Sequence, residues 1–330
     1  MYYNWCPVLF YKNLYREGNR IIARKLKAGD EIRVIAPSKN LTEVWHAAHH
    51  HEVDFWRKQG FNLTLSKNSR EIGKFHSSSI SHRVEDTHQA FCDPNVKMLI
   101  TYLGGFNANQ LLHHLDYDLI ARHPKILCGY SDITALLNAI YAKTGLITYH
   151  GPHFSTFGYD IETEYTKHAF EDCIIKDGSV TVVPSKAAVK YHTIQEGVCE
   201  GKIIGGNLCT LNLLQGAPYM PDVRNKVLFL EDDNIMGDYF CYKFDRNLES
   251  LMQVEGADTI RGIVFGRFDD SCSLTPEKIK DIIWDKIPSN IPVVFGADFG
   301  HVFPMITFPI GGSVSIRANK NNAEIIIVTH

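Results

Sequence analysis

The sequence has no apolar run approaching the roughly 18 to 20 residues that a membrane helix needs. It has no C-x-x-C pair either. Its eight cysteines (Cys6, Cys92, Cys128, Cys173, Cys199, Cys209, Cys241, Cys272) are scattered, which indicates neither a zinc knuckle nor a redox dithiol. Buried reduced thiols in a reducing compartment are the expectation. No basic excess is present: the formal net charge is −3, and there is no basic face to argue for nucleic acid. The first residues, M-Y-Y-N-W-C-P-V-L-F-Y-K, lack the basic start, apolar block and small-residue cleavage site of a signal peptide. Repeats and low-complexity tracts are absent as well. These gaps predict an unprocessed cytoplasmic protein that engages neither membrane nor nucleic acid, with residues 1–24 as an extension of unassigned purpose.

What remains is a chain of 330 residues, 45% hydrophobic and 22% charged, the composition of a soluble globular protein of about two domains. After the extension, apolar runs alternate with helical patterns. Strands are predicted at 31–36, 61–65, 96–103 and from Lys125, with helices at 41–59, 81–91, 109–114 and 133–143 between or after them. That order predicts parallel pairing through right-handed crossovers. In such sheets ligands bind beyond the carboxyl ends of the strands. Three of those ends carry small or polar residues: Ala36-Pro-Ser38, Gly104-Gly-Phe106 and Gly129-Tyr-Ser131.

Between Lys176 and Glu196 the pattern dissolves into polar, Pro- and Gly-punctuated sequence, so a linker is expected over 179–196. It divides an α/β domain (25–178) from a β-rich α/β domain (197–330). The second domain is predicted to hold strands at 201–204, 227–230, 262–265 and 292–295, and a terminal hairpin of 313–316 with 323–328 around Asn319-Lys-Asn-Asn322.

Ser131 sits on a strand-to-helix corner close behind Gly129, as a nucleophile elbow requires, but Ile133 stands where the G-x-S-x-G elbow has its second glycine. On these residues alone the simpler reading leads, in which Ser131 or Asp132 caps the following helix. A serine nucleophile needs a base and an acid to orient it. Glu231 directly follows an apolar strand, and His301 lies in a glycine-rich turn past another. Each could equally be an ordinary loop residue. Gly104-Gly105 could present backbone N–H groups to an oxyanion or simply turn the chain. His46, His49, His50 and His51 suggest a metal, but no H-E-x-x-H motif or spaced third ligand accompanies them. A solvated helix face is the preferred reading, and no metal site is expected.

Taken in order, G-Y-S-D, G-G-N, L-E-D and G-x-x-x-G-H followed by prolines resemble the LD-carboxypeptidase family of serine peptidases, including its microcin C self-immunity branch. The match runs from about Lys25 (K-L-K-A-G-D-E-I-R-V-I-A-P-S) to the C-terminus. The resemblance implies Ser131 as nucleophile, Glu231 as orienting acid and His301 as general base. It also implies an oxyanion hole from the N–H groups of Asp132 and Gly105; Gly104 and Phe106 are expected substrate contacts, and Asn207, after Gly205-Gly206, is equally a substrate contact or a turn residue. No cofactor is implied, and a homodimer is.

Muropeptide-cleaving members tend to carry R-G-G-Y-G, whereas this chain has Leu103-Gly-Gly-Phe-Asn. The expectation is therefore detoxification of an aminoacyl-nucleotide of the microcin C type. Removal of terminal D-alanine from a muropeptide is the alternative. A catalytically silent binding protein on the same fold is the reading from another class.

Overall fold

The computed structural model describes residues 20–41, 50–158, 163–186 and 190–330. The first half builds a sheet from β1 (Glu31–Ile35), β2 (Asn62–Leu65), β3 (Val96–Thr101), β4 (Ile126–Gly129) and β5 (Thr148–His150). These five run parallel in the order β5-β4-β3-β1-β2. The interior strands are largely buried, because helices cover both faces of a parallel sheet: β4 is buried at every residue. Helices α1 (His50–Lys58), α2 (Ile80–Cys92), α3 (Tyr117–Arg122), α4 (Thr134–Thr144) and α5 (Thr163–Ile174) supply that cover.

The second sheet has eight strands. It takes β6 (Val180–Val182), β7 (His192–Gln195), β8 (Gly197–Asn207), β9 (Lys226–Glu231), β10 (Gly262–Gly266) and β11 (Val293–Ala297). Next, β12 (Phe308–Ile310) leaves this sheet and pairs antiparallel with β5, while β13 (Ser313–Asn319) and β14 (Asn322–Thr329) form the terminal hairpin. The order is β6-β14-β13-β8-β9-β10-β11-β7, parallel from β8 to β11 and antiparallel elsewhere. The α/β class with a parallel nucleophile sheet and a β-rich second half is therefore as expected.

Several features differ from the sequence expectation, and where a helix is expected over 109–114 there is only a 3₁₀ turn, Ala108–Leu111. The segment expected as a linker, 179–196, supplies β6 and β7, which close the two edges of the second sheet. Polar, punctuated sequence is what short edge strands carry, so composition hides them. The first sheet is completed by β12 from the far half, so chain order does not separate the two layers. Lastly, part of the expected extension is folded in: Ile21 bridges Leu146, and Ala23 is buried. Residues 1–19 of that extension lie outside the described residues.

Helix α4 joins the layers. It is buried along most of its length, and Asn138 on it donates to Gly205 O at 2.7 Å and accepts from Gly205 N at 3.2 Å. Thr134 at its start accepts from Asn207 N at 3.0 Å. Gly205 and Gly206 let β8 come this close. A Cβ on Gly206 would lie 2.5 Å from Thr134 Oγ1, and its φ of +115° favours glycine. Replacing Asn138 with alanine strands a buried N–H and C=O on Gly205. Asn138→Ala is expected to lose about 2 kcal/mol or more of stability, read as a lowered urea midpoint with an unchanged m-value.

Candidate active site

The corner after β4 is tight because of what surrounds it. A Cβ on Gly129 would lie 2.2 Å from Thr101 Oγ1 and 3.2 Å from Ile133 Cγ2. Ile133, buried completely, thus packs over the glycine from the place where an elbow usually has its second one. Ser131 has a φ of +60°, a left-handed conformation that costs a non-glycine residue energy and is concentrated at functional sites. Residues Ser131–Ile133 form a short 3₁₀ turn before α4, which begins without a side-chain cap. Neither Ser131 nor Asp132 caps that helix.

Ser131 faces residues from the second sheet. His301 Nε2 lies 2.9 Å from Ser131 Oγ, and His301 Nδ1 lies 2.7 Å from Glu231 Oε2. Glu231 is the last residue of β9 and is fully buried, whereas His301 follows β11 and keeps 28% of its side chain exposed. Gly300 permits the approach: a Cβ there would meet Arg267 O at 2.8 Å and Glu231 Cβ at 3.2 Å. Arg267 steadies this turn by donating to Pro304 O at 2.7 Å and ion-pairing with Asp298 at 2.8 Å.

The charges are coupled. Burial opposes the charged form of His301, but Glu231, Asp233 and Asp232 outweigh it and raise the imidazole to about 9. Burial likewise opposes ionised Glu231, yet the two neighbouring imidazoles, His301 foremost, hold it well below the ordinary carboxylate value. Asp232 is raised to about 6 by burial despite Lys243 Nζ at 2.9 Å. The arrangement can remove a proton from Ser131 and store it on a ring whose charge a buried carboxylate compensates.

Asp132 does more than present its N–H beside Ser131. Its Oδ2 accepts from Ser38 Oγ at 2.6 Å, Asn107 N at 2.9 Å and Ala108 N at 2.9 Å. Those donors follow β1 and β3, so one carboxylate ties the three strand ends together. Arg83 reinforces the set, donating to Pro37 O at 2.9 Å and Asn107 O at 3.1 Å. Gly104 lies directly against Ser131, since a Cβ there would sit 2.9 Å from Ser131 Cβ. On Gly105 it would sit 2.2 Å from Ser38 Oγ. The loop thus lies flat between Ser38 and Ser131.

Phe106, in the same loop, is 74% exposed. Asn207 is buried, with its amide engaged inside the chain: Oδ1 accepts from Thr210 N at 2.9 Å, and Nδ2 faces Asp232 Oδ1 at 3.3 Å. The sequence places Ser38 on a marked strand end and Asp232 in the L-E-D run without a role for either, and Arg83, His150 and His153 go unmarked. Ser38 and His150 stand at strand ends and were within reach of the rule that picked out Ser131. His46 and His49 lie outside the described residues, as do the side chains of His50 and His51. Among the described residues no cluster of three or more His, Cys, Asp or Glu could hold a metal ion.

Comparison with known proteins gives two domain matches, the LD-carboxypeptidase N-terminal domain over residues 32–151 and the LD-carboxypeptidase C-terminal domain over residues 200–316. The "Putative carboxypeptidase YocD" of Bacillus subtilis is 43% identical over 93% of this chain and 99% of its own. An MccF-like protein from Bacillus anthracis has a solved structure that matches with a TM-score of 0.90 at 46% identity, covering 94% of this chain and 100% of its own. Two relatives of different description stand level at 30% identity. One is the microcin C7 self-immunity protein MccF of Escherichia coli, over 94% of this chain and 96% of its own. The other is the "Probable murein peptide carboxypeptidase" of Bacillus subtilis, over 92% and 93%. MccF solved in complex with aspartyl sulfamoyl adenosine matches with a TM-score of 0.82 at 29% identity, covering 94% of this chain and 99% of its own.

Two outcomes follow from the electrostatics and the tie. A ring raised above the ordinary imidazole value keeps its proton to higher pH, so it is free to act as a base only above that. The acid limb of kcat/KM is expected above pH 6.5 or so. Glu231→Gln removes the charge responsible and should move the limb downward while slowing the reaction; pH–rate profiles of both proteins check this. Asp132→Ala frees the Gly104-Gly105 loop and is expected to lower kcat by about 100-fold, as loss of an oxyanion donor does, in a protein whose circular dichroism still shows the native fold.

Proposed function

The chain belongs to the LD-carboxypeptidase family of serine peptidases, and from that premise we propose that Ser131, His301 and Glu231 form its catalytic triad. His301 Nε2 takes the Ser131 proton as Oγ attacks an amide carbonyl. The oxyanion is held by the N–H groups of Asp132 and Gly105. His301 then returns the proton to the leaving nitrogen, and water releases the acyl group from Ser131 by the same relay. The observation carrying this reading is the unbroken relay of 2.9 Å and 2.7 Å from Oγ to the buried carboxylate.

The substrate we propose is an aminoacyl-nucleotide of the microcin C type, cleaved at the amide that joins its acidic aminoacyl group to the nucleotide. Two observations support it over a muropeptide. Ahead of the glycine pair stands Leu103, an aliphatic side chain packed against the core, so position 103 itself supplies no cation for a terminal carboxylate. Lys243 is buried and already engaged by Asp232 at 2.9 Å and Asp233 at 3.6 Å. MccF itself has been solved with aspartyl sulfamoyl adenosine. The level match to a murein peptide carboxypeptidase makes the muropeptide the necessary comparison.

Purified protein is therefore to be assayed on an aspartyl or glutamyl sulfamoyl nucleoside and on a muropeptide tetrapeptide. Hydrolysis of the first at the higher kcat/KM is expected; cleavage of the muropeptide alone would overturn the substrate assignment. Ser131→Ala should lose at least about 1,000-fold in kcat on whichever amide is cleaved, while remaining folded. A folded variant with full activity would remove Ser131 from the mechanism.

A further inference from the structure

Behind the triad acid lies hydrogen-bonding capacity that the proposed relay does not use. Glu231 engages His301 through Oε2, while its other oxygen, Oε1, has no hydrogen-bond partner among the described residues despite complete burial. Facing it at 3.9 Å is Nε2 of His150, also completely buried, and neither ring nitrogen of His150 has a hydrogen-bond partner among the described residues. Buried polar groups left unpaired are costly, and a movement of about 1 Å would bring this pair to hydrogen-bond length.

The setting fixes the imidazole. His150 ends β5 beside Gly129 and opposite Phe308. Its ring stacks on Phe308, with centroids 4.5 Å apart and planes 12° from parallel. Gly206 closes the other approach: a Cβ there would lie 3.0 Å from His150 Cδ2.

We propose that His150 is a positioning residue for the triad: as the neutral Nε2–H tautomer it donates to Glu231 Oε1 and fixes the carboxylate plane toward His301. This rests on the triad reading. The charged and titratable groups around it are Glu231 from β9, His301 from the turn after β11, and His153 and Tyr130 from the corners after β5 and β4. A second imidazolium here would cancel the negative charge that His301 needs, so the neutral ring is the form that serves the relay. Its bond draws part of the carboxylate charge away from His301. Without it, His301 holds its proton more tightly and the carboxylate is free to turn.

The test uses the whole protein. Ring-nitrogen NMR of the wild type at neutral pH should find His150 neutral with the proton on Nε2; a bare Nε2 or a doubly protonated ring overturns the proposal. His150→Phe keeps a ring to stack on Phe308 but has no donor. It should lower kcat by about 10-fold or more, the worth of one hydrogen bond to a charged group. KM should stay within about twofold, and the acid limb should move to higher pH. His150→Gln, whose amide can donate, should recover most of the rate and return the limb. Equal losses in the two variants with an unmoved limb would mean packing alone. In a Glu231→Gln background, adding His150→Phe should change kcat little, and full additivity overturns the coupling. Full activity in Ser131→Ala would instead refute the triad reading and leave the tautomer result standing.

Discussion

A single buried carboxylate, that of Asp132, holds together the ends of the three strands on which everything else is arranged. One oxygen accepts from the Ser38 hydroxyl and from the backbone N–H groups of Asn107 and Ala108. A carboxyl so deeply buried is tolerable because it accepts from several donors and lies near the Arg83 guanidinium. The same requirement makes the arrangement directional. Each donor must point at Asp132, so the loop after β3 and the turn after β1 have little freedom to move relative to Ser131. A neutral residue would fill the space without imposing that geometry.

The second constraint lies between the sheets. Ser131 belongs to the first sheet, while Glu231 and His301 belong to the second, so the relay is only as precise as the joint. Helix α4 begins three residues after Ser131 and is fastened to β8 by Asn138 and Thr134. Strand β8 pairs with β9 up to the register of Asn207 with Glu231. The path from Ser131 to Glu231 therefore runs through a buried helix and two paired strands, with few bonds able to rotate along it. The exchange of β12 into the first sheet locks the layers a second time, through the strand on which His150 stands.

Much of this was legible in sequence, and the failures have physical causes. Alternating apolar runs and helical patterns suffice to find the parallel sheet, because fully buried strands leave a strong signal. Strand-end chemistry drew attention to Ser131, Glu231 and His301. The capping reading competed because it uses the same residue types, and only the backbone distinguishes them: Ser131 at a φ of +60° is not a capping conformation. The Asp132 carboxylate was invisible since its donors lie 24 to 94 residues away. Edge strands β6 and β7 read as linker because edges are polar. Strand β12 was missed as three residues, Phe-Pro-Ile, whose partner is more than a hundred positions earlier.

The electrostatics that tune the proposed base also bear on the substrate. Asp232 and Asp233 follow Glu231 directly and contribute to raising His301. Lys243 offsets them only in part, since one cation faces two acids. The field at Ser131 is therefore negative on the side of the second sheet. A substrate that presents a free carboxylate next to the scissile bond must enter against that field. One whose acyl part carries an ammonium enters with it. Coulombic attraction of this kind acts most strongly where water is excluded. The proposed aminoacyl donor thus brings an ammonium that this field favours, while the side-chain carboxylate of its acidic aminoacyl group must be met by donors of its own.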